Sequence, residues 1–138
     1  MSLHVFSDEW ARACAEAIND NPAYRAAAAT WEGAVLLHIA ASDPDGERRV
    51  WLDLWRGECR EARSATVTDE DSARYILSAG LTVWQQVLTG STAPMMAIMM
   101  GKLRITKGSL AELLPHVESA KQLVVSAASI EASFPDIA

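Results

Sequence analysis

The chain has 138 residues, half of them hydrophobic, with 18 acidic against 12 basic side chains and a formal charge of −6. That length suits one domain, expected to fill residues 1–138, with a single sizeable core. No basic block is available to neutralise phosphates and no apolar run approaches the roughly 20 residues that span a bilayer, so nucleic acid and stable membrane insertion are both excluded as expectations.

The N-terminus MSLHVFSDEW lacks a charged segment leading into an apolar run, which makes a cytoplasmic location the expectation. Ser7 then offers an N-cap, Asp8 and Glu9 suit the positive end of a helix, and Trp10, Ala13, Cys14, Ala17 and Ile18 share one face. A helix over about 7–19 follows. Asn21 before Pro22 repeats the start signal and opens a second, Ala-rich helix over about 22–29.

The apolar run AVLLHIAA, the turn SDPDG and the alternating stretch ERRVWLDLWRG predict a hairpin of strands over about 34–41 and 48–56. Val50, Leu52 and Leu54 fall on one face, Trp51, Asp53 and Trp55 on the other. After Gly57, a third strand is predicted over about 59–67. The stretch TDEDSARYILSAG reads two ways: Thr68 with Asp71 makes a capping box, while Ala73, Tyr75, Leu77 and Ala79 alternate as a strand over about 73–79 would.

Thr82 with Gln85, an apolar face of Val83, Val87 and Leu88, and the stop at Gly90 predict a short helix over about 82–89. Pro94 and Gly101 bracket another over about 94–100, which gathers Met95, Met96, Met99 and Met100. KLRITK alternates as a strand over about 102–107. Ser109 with Glu112 caps a long helix over about 109–128, whose buried face is marked by Leu110, Leu113, Leu114, Val117 and Val124 and whose run is kinked or restarted at Pro115. The tail IEASFPDIA has no periodic signal beyond Phe134 and Ile137.

Signals of catalysis are missing. His4, His38 and His116 stand on separate elements without acidic or cysteine neighbours at ligand spacing, and Cys14 and Cys59 lack a C-x-x-C pattern and are expected as reduced, buried thiols. There is no G-x-S-x-G elbow or glycine-rich phosphate loop, and TDEDS falls short of a calcium loop. No enzyme activity, metal or cofactor is expected. The methionines admit three readings: core filling, an adaptable wall for apolar ligands, or a thioether copper site, the last without paired His or Cys to support it.

The run WQQVLTG followed by APMMAIMMGKLRITKGSLAELL resembles the sterol carrier protein domain, the non-specific lipid-transfer protein family. Trp84, Gly90, Pro94, Gly101, Lys102, Leu103 and Gly108 fall on that family's landmarks, and VESAKQLVVSA is similar to its bacterial members. The resemblance is specific over roughly 73–128, weaker through 34–67 and architectural before that; TKGS departs from the usual Gly-Asp after the last strand. It implies an α+β fold with a five-stranded, largely antiparallel sheet and helices on one face, and a strand at 73–79. It also implies binding or intracellular carriage of a long-chain apolar ligand (fatty acid, fatty acyl-CoA or another lipid) in a cavity between sheet and helices. The residues expected to bind it are Trp84, Leu88, Met95, Met96, Met99, Met100, Leu103, Leu113 and Val117.

The alternative is a non-catalytic structural or dimerisation module with a vestigial cavity. Two further expectations come from the residues themselves. Trp51 and Trp55, on the sheet face away from the helices, ask for cover from a second chain and so for a homodimer, and the basic residues Lys102, Arg104 and Lys107 would place an anionic head group at the end of the last strand.

Overall fold

The computed structural model describes residues 3–40, 47–130 and 132–133. The expected turn SDPDG, residue 41 of the first expected strand, and the tail residues Phe134 and Ile137 lie outside them. Ser7 caps helix α1 (Asp8–Asn19) by accepting from the Trp10 N–H, and Asn21 caps α2 (Pro22–Ala27), with Pro22 at the position where a missing N–H costs nothing. Ahead of them, β1 (Leu3–His4) pairs in parallel with β7 (Ala132–Ser133), a two-residue contact without a sequence signal.

Strands β2 (Glu32–Ile39), β3 (Arg48–Trp55) and β4 (Glu58–Ser64) form an antiparallel meander. The β3–β4 turn is Arg56–Gly57, with φ of +48° and +90°, the positive pair that matches strand twist. A Cβ on Gly57 would stand 2.8 Å from the Arg25 carbonyl oxygen, so the turn also seats α2 closely. β4 ends at Ser64, three residues short of the expected Val67, because the chain leaves the sheet there for a 3-10 helix, Val67–Asp71. Its cap is Thr66 with Asp69, whose carboxylate accepts from the Thr66 N–H at 2.8 Å, and not Thr68 with Asp71.

The chain returns as β5 (Tyr75–Ala79), parallel to β2, and β6 (Arg104–Lys107) closes the sheet antiparallel to β5. The order β4-β3-β2-β5-β6 is a mixed five-stranded sheet with one parallel pair. Helix α3 (Leu81–Leu88) follows β5, one residue earlier than Thr82 suggested and capped by Gly80 without a side-chain bond. Helix α4 (Pro94–Met99) comes next. The expected long C-terminal helix is divided into α5 (Leu110–Leu113), a 3-10 turn over Leu114–His116 at Pro115, and α6 (Val117–Ala128).

Val35, Ile39, Val50, Leu52, Leu54 and Tyr75 are buried on the face that meets the helices, where they join Trp10, Ile18, Trp84 and Val87 in the main core. Helix α6 docks on α2 through buried hydroxyls: Ser119 Oγ donates to the Ala27 carbonyl at 3.0 Å, and Asn21 Nδ2 donates to Ser126 Oγ at 3.0 Å. Leu110, Leu114 and Val117, expected on the buried face, are exposed, whereas Leu113 is buried.

The opposite face has its own cover. Leu36, Ala73 and Ile76 are buried there together with the half-buried Trp51 and Ala65, beneath the segment that crosses from β4 to β5. The Arg63 guanidinium lies 5.3 Å from the Trp51 ring centre, and Arg60 lies 4.7 Å from that of Trp55. Trp51 is thus roofed from within, while Trp55 remains 39% exposed.

Candidate functional site

Register builds an apolar floor between sheet and helices. Val35 stands opposite both Leu52 and Tyr75, and Leu37 opposite Leu77, so these side chains project side by side toward the helices. The walls are supplied at helical spacing: Trp10, Cys14 and Ile18 from α1, Trp84, Val87 and Leu88 from α3, and Ala120, Leu123, Val124 and Ala127 from α6. Pro94, Met95 and Ile98 of α4, with Leu103 and Leu113, complete an apolar space of about 80 Å³. Among the described residues, no Asp, Glu, Lys or Arg lines it.

Three rings divide this space from an open cleft of about 480 Å³ on the surface. Trp31, Tyr75 and His116 border both, and Thr30, Glu32, Gly33, Trp55 and Arg74 make up the rest of the cleft. His116, delivered by the 3-10 turn after Pro115, stacks on Trp31 with ring centres 5.2 Å apart and planes at 16°, and Tyr75 lies tilted 6.3 Å from Trp31. Tyr75 is itself fixed by Gly108, where φ is +91° and a Cβ would come within 2.6 Å of the phenol ring. Arg74 Nη2 pairs with Glu112 at 3.0 Å, and its Nε donates to Tyr75 Oη at 3.4 Å.

Of the residues expected to bind ligand, Trp84, Leu88, Met95, Leu103 and Leu113 border the apolar space. Met96, Met99, Met100 and Val117 do not; all four are exposed, Met99 at 71% and Val117 at 42%. Helix α4 is only six residues long, and Ile98 takes the inward direction that the spacing gave to Met99. In α6 the three-residue 3-10 turn resets the helical phase, so Ala120, Leu123 and Val124 face inward in place of Val117.

The basic trio is likewise corrected. Lys107 Nζ donates to the carbonyls of Glu70 and Asp71, both at 3.0 Å, on the far side of the sheet, and Arg104 pairs opposite Ser78 in a register that shares that far side with His38. None of Lys102, Arg104 and Lys107 borders the apolar space; the cation beside its mouth is Arg74. Sequence reasoning missed Trp31, Tyr75 and His116. Trp31 lies between a helix end and a strand start, where no periodicity marks a face, and the other two gain their meaning only from the tertiary approach of β5 and the turn at Pro115.

Groups able to do chemistry are turned to structural work. Burial pushes both thiols up, Cys59 to about 12 and Cys14 further, so neither is a thiolate near neutral pH. His38 Nδ1 and Ser78 Oγ are 2.8 Å apart on the far face of the sheet, away from the apolar space. Among the described residues, no group of three or more His, Cys, Asp or Glu is placed to hold a metal ion, and no helix is long and apolar enough to cross a membrane.

Comparison with known proteins agrees with this architecture. Residues 12–114 match the SCP-2 sterol transfer family. A crystal structure of sterol carrier protein 2 is similar with a TM-score of 0.83 and 36% identity, covering 92% of this chain and 99% of that one. The solution structure of a conserved hypothetical protein, possibly sterol carrier protein, from Thermus thermophilus is similar with a TM-score of 0.84 and 35% identity, covering 99% and 96%. Apo sterol carrier protein 2 from Yarrowia lipolytica shares the fold at 15% identity, with a TM-score of 0.56 over 88% of this chain and 98% of that one. No curated protein matches.

Proposed function

The chain belongs to the SCP-2 sterol transfer family, and with it to proteins that bind or transfer lipids; we propose that it carries one long-chain apolar ligand between its sheet and helices, making and breaking no bond. The observation that supports this most is the charge-free lining contributed by α1, α3, α4, α6 and the sheet. Such walls select by shape and volume, so a fatty acid, its thioester or its ester all qualify through their shared chain. Met95 and Ile98 lie on a wall helix of only six residues, where a small displacement enlarges the space at little cost in packing.

The volume favours a second reading. About 80 Å³ is below the roughly 300–1,000 Å³ of ligand pockets in general, so a chain enters only if the helices part. A domain whose helices never part would be a structural module with a vestigial cavity. Extraction of the purified protein and mass spectrometry of the extract separate the two, together with melting in the presence of added fatty acid. A carrier releases a long-chain lipid and gains about 2.7 kcal/mol of stability when the ligand is at 100 times its Kd. No extracted lipid and no shift in melting would leave the structural reading in its place.

A further inference from the structure

Trp31 is only 4% exposed and borders both the apolar space and the cleft, yet among the described residues no acceptor reaches its buried indole Nε1. Buried donors in folded proteins are overwhelmingly paired, because losing water without gaining a partner is costly. Trp84, equally buried, follows that rule by donating to the His38 carbonyl at 2.8 Å. Trp31 departs from it where the apolar space borders the cleft.

The groups around that place are ordered. Carbon walls lie on the inner side, the Trp31 indole that carries the unpaired N–H stands in the partition with Tyr75 and His116, and Arg74 borders the cleft beyond. An amphiphile presents matching parts in the same order: chain, acceptor oxygen, solvent-facing remainder. Resting on the carrier reading above, we infer that Trp31, Tyr75 and His116 form a head-group subsite in which Trp31 Nε1 donates to a carbonyl oxygen of the ligand. The ligand class is then a long-chain carboxylic acid or its ester, which share that oxygen. Arg74 separates them, since only a carboxylate competes with Glu112 for the guanidinium 3.0 Å away.

Trp31→Phe removes the donor and keeps an aromatic ring. It should weaken binding of cis-parinaric acid and of its methyl ester by roughly 3- to 10-fold while leaving the Kd of hexadecane, obtained by competition and corrected for the probe's own affinity, unchanged. Arg74→Gln should weaken the acid alone. In the wild-type protein, with the tryptophan indoles assigned by NMR, the Trp31 Nε1–H signal should move on addition of acid or ester and stay in place with hexadecane. Equal losses for all three ligands in Trp31→Phe, or an indole signal that hexadecane moves as far as the acid does, would overturn the subsite and leave the carrier reading standing. A wild-type protein that binds none of the three would remove the carrier reading and the subsite with it.

Discussion

Met95 and Met99 are one helical turn apart on α4 and yet occupy different environments, the first buried against the apolar space and the second 71% exposed. Their truncations should differ accordingly. Met95→Ala enlarges a space that is already there and should cost about 2 kcal/mol, the low end of the range for such deletions, and it should alter fatty-acid affinity. Met99→Ala should stay within about 0.5 kcal/mol of wild type, as for a surface position, with affinity unmoved. Thermal melting and probe titration on both variants check this, and comparable losses at the two positions would place Met99 in the core. The difference explains how far the site could be read from the sequence. Spacing marks Leu88 as inward because it belongs to an uninterrupted periodic pattern, whereas Trp84, beside that pattern's face, is expected as a landmark of the resembled family. It fails at Met99 and Val117, which lie against a helix end and just past a 3-10 turn, where the period that carries the inference stops.

The segment between β4 and β5 shows what holds an element that lacks a buried face of its own. None of the residues in the 3-10 helix Val67–Asp71 is buried, and the segment is strapped by ions: Arg49 Nε to Glu70 at 2.8 Å, Lys107 to two of its carbonyls, and Arg63 to both oxygens of Asp69 at 3.0 and 3.1 Å. The Arg63 hydrogen bonds, with help from the Thr66 N–H, hold the Asp69 carboxyl at about 2, below its ordinary 3.8. Because the folded value is the lower one, this contribution is complete above 3.8 and is lost as pH falls toward 2. Asp69→Asn should therefore be less stable than wild type at neutral pH, and the gap should narrow on acidification through that window; denaturation midpoints at several pH values test it, and a gap independent of pH would assign the loss to something other than the ion pair. Of the strands flanking the segment, β4 was legible from its β-formers up to its last turn, while β5 reads two ways locally and is implied as a strand only by the family resemblance. Most of the strap was not legible: Arg63 and Asp69 are six residues apart, but Arg49 and Lys107 reach Glu70 and Asp71 from β3 and β6 only in the assembled sheet. The crossing of β5 to the far side of β2 makes the parallel β2–β5 pair, which no local pattern encodes.

At the scale of the whole molecule the two faces of the sheet are covered by different physics, one by amphipathic helices and the other by a strapped segment and arginines over indoles. This bears on self-association. A specific interface buries about 1,200–2,000 Å² in total, far more than one partly exposed indole offers. Trp51 is half-buried against Leu36 and Ile76 beneath Arg63, which leaves Trp55, at 39% exposure, as the indole of this face open to a partner. Even Trp55 has Arg60 across its ring, and that guanidinium is held in place by both oxygens of Asp53 at 3.0 and 3.1 Å. Cation–π contacts of this kind contribute about 0.5–1 kcal/mol at exposed sites and, by occupying the ring face, keep it from stacking on another chain. The chain should therefore sediment at micromolar concentration as a single species near 15.0 kDa. Arg60→Ala removes the nearer of the two guanidiniums over the Trp55 ring, Arg56 lying at 5.9 Å, so it should increase self-association, measurable as a rise in weight-average mass with concentration, while Arg60→Lys, which keeps the charge but loses the planar fork, should fall between them. A wild-type protein already near twice the chain mass, with a mass that Trp55→Ala brings back to that of one chain, would show that this face is an interface and that the arginines serve the contact instead of blocking it.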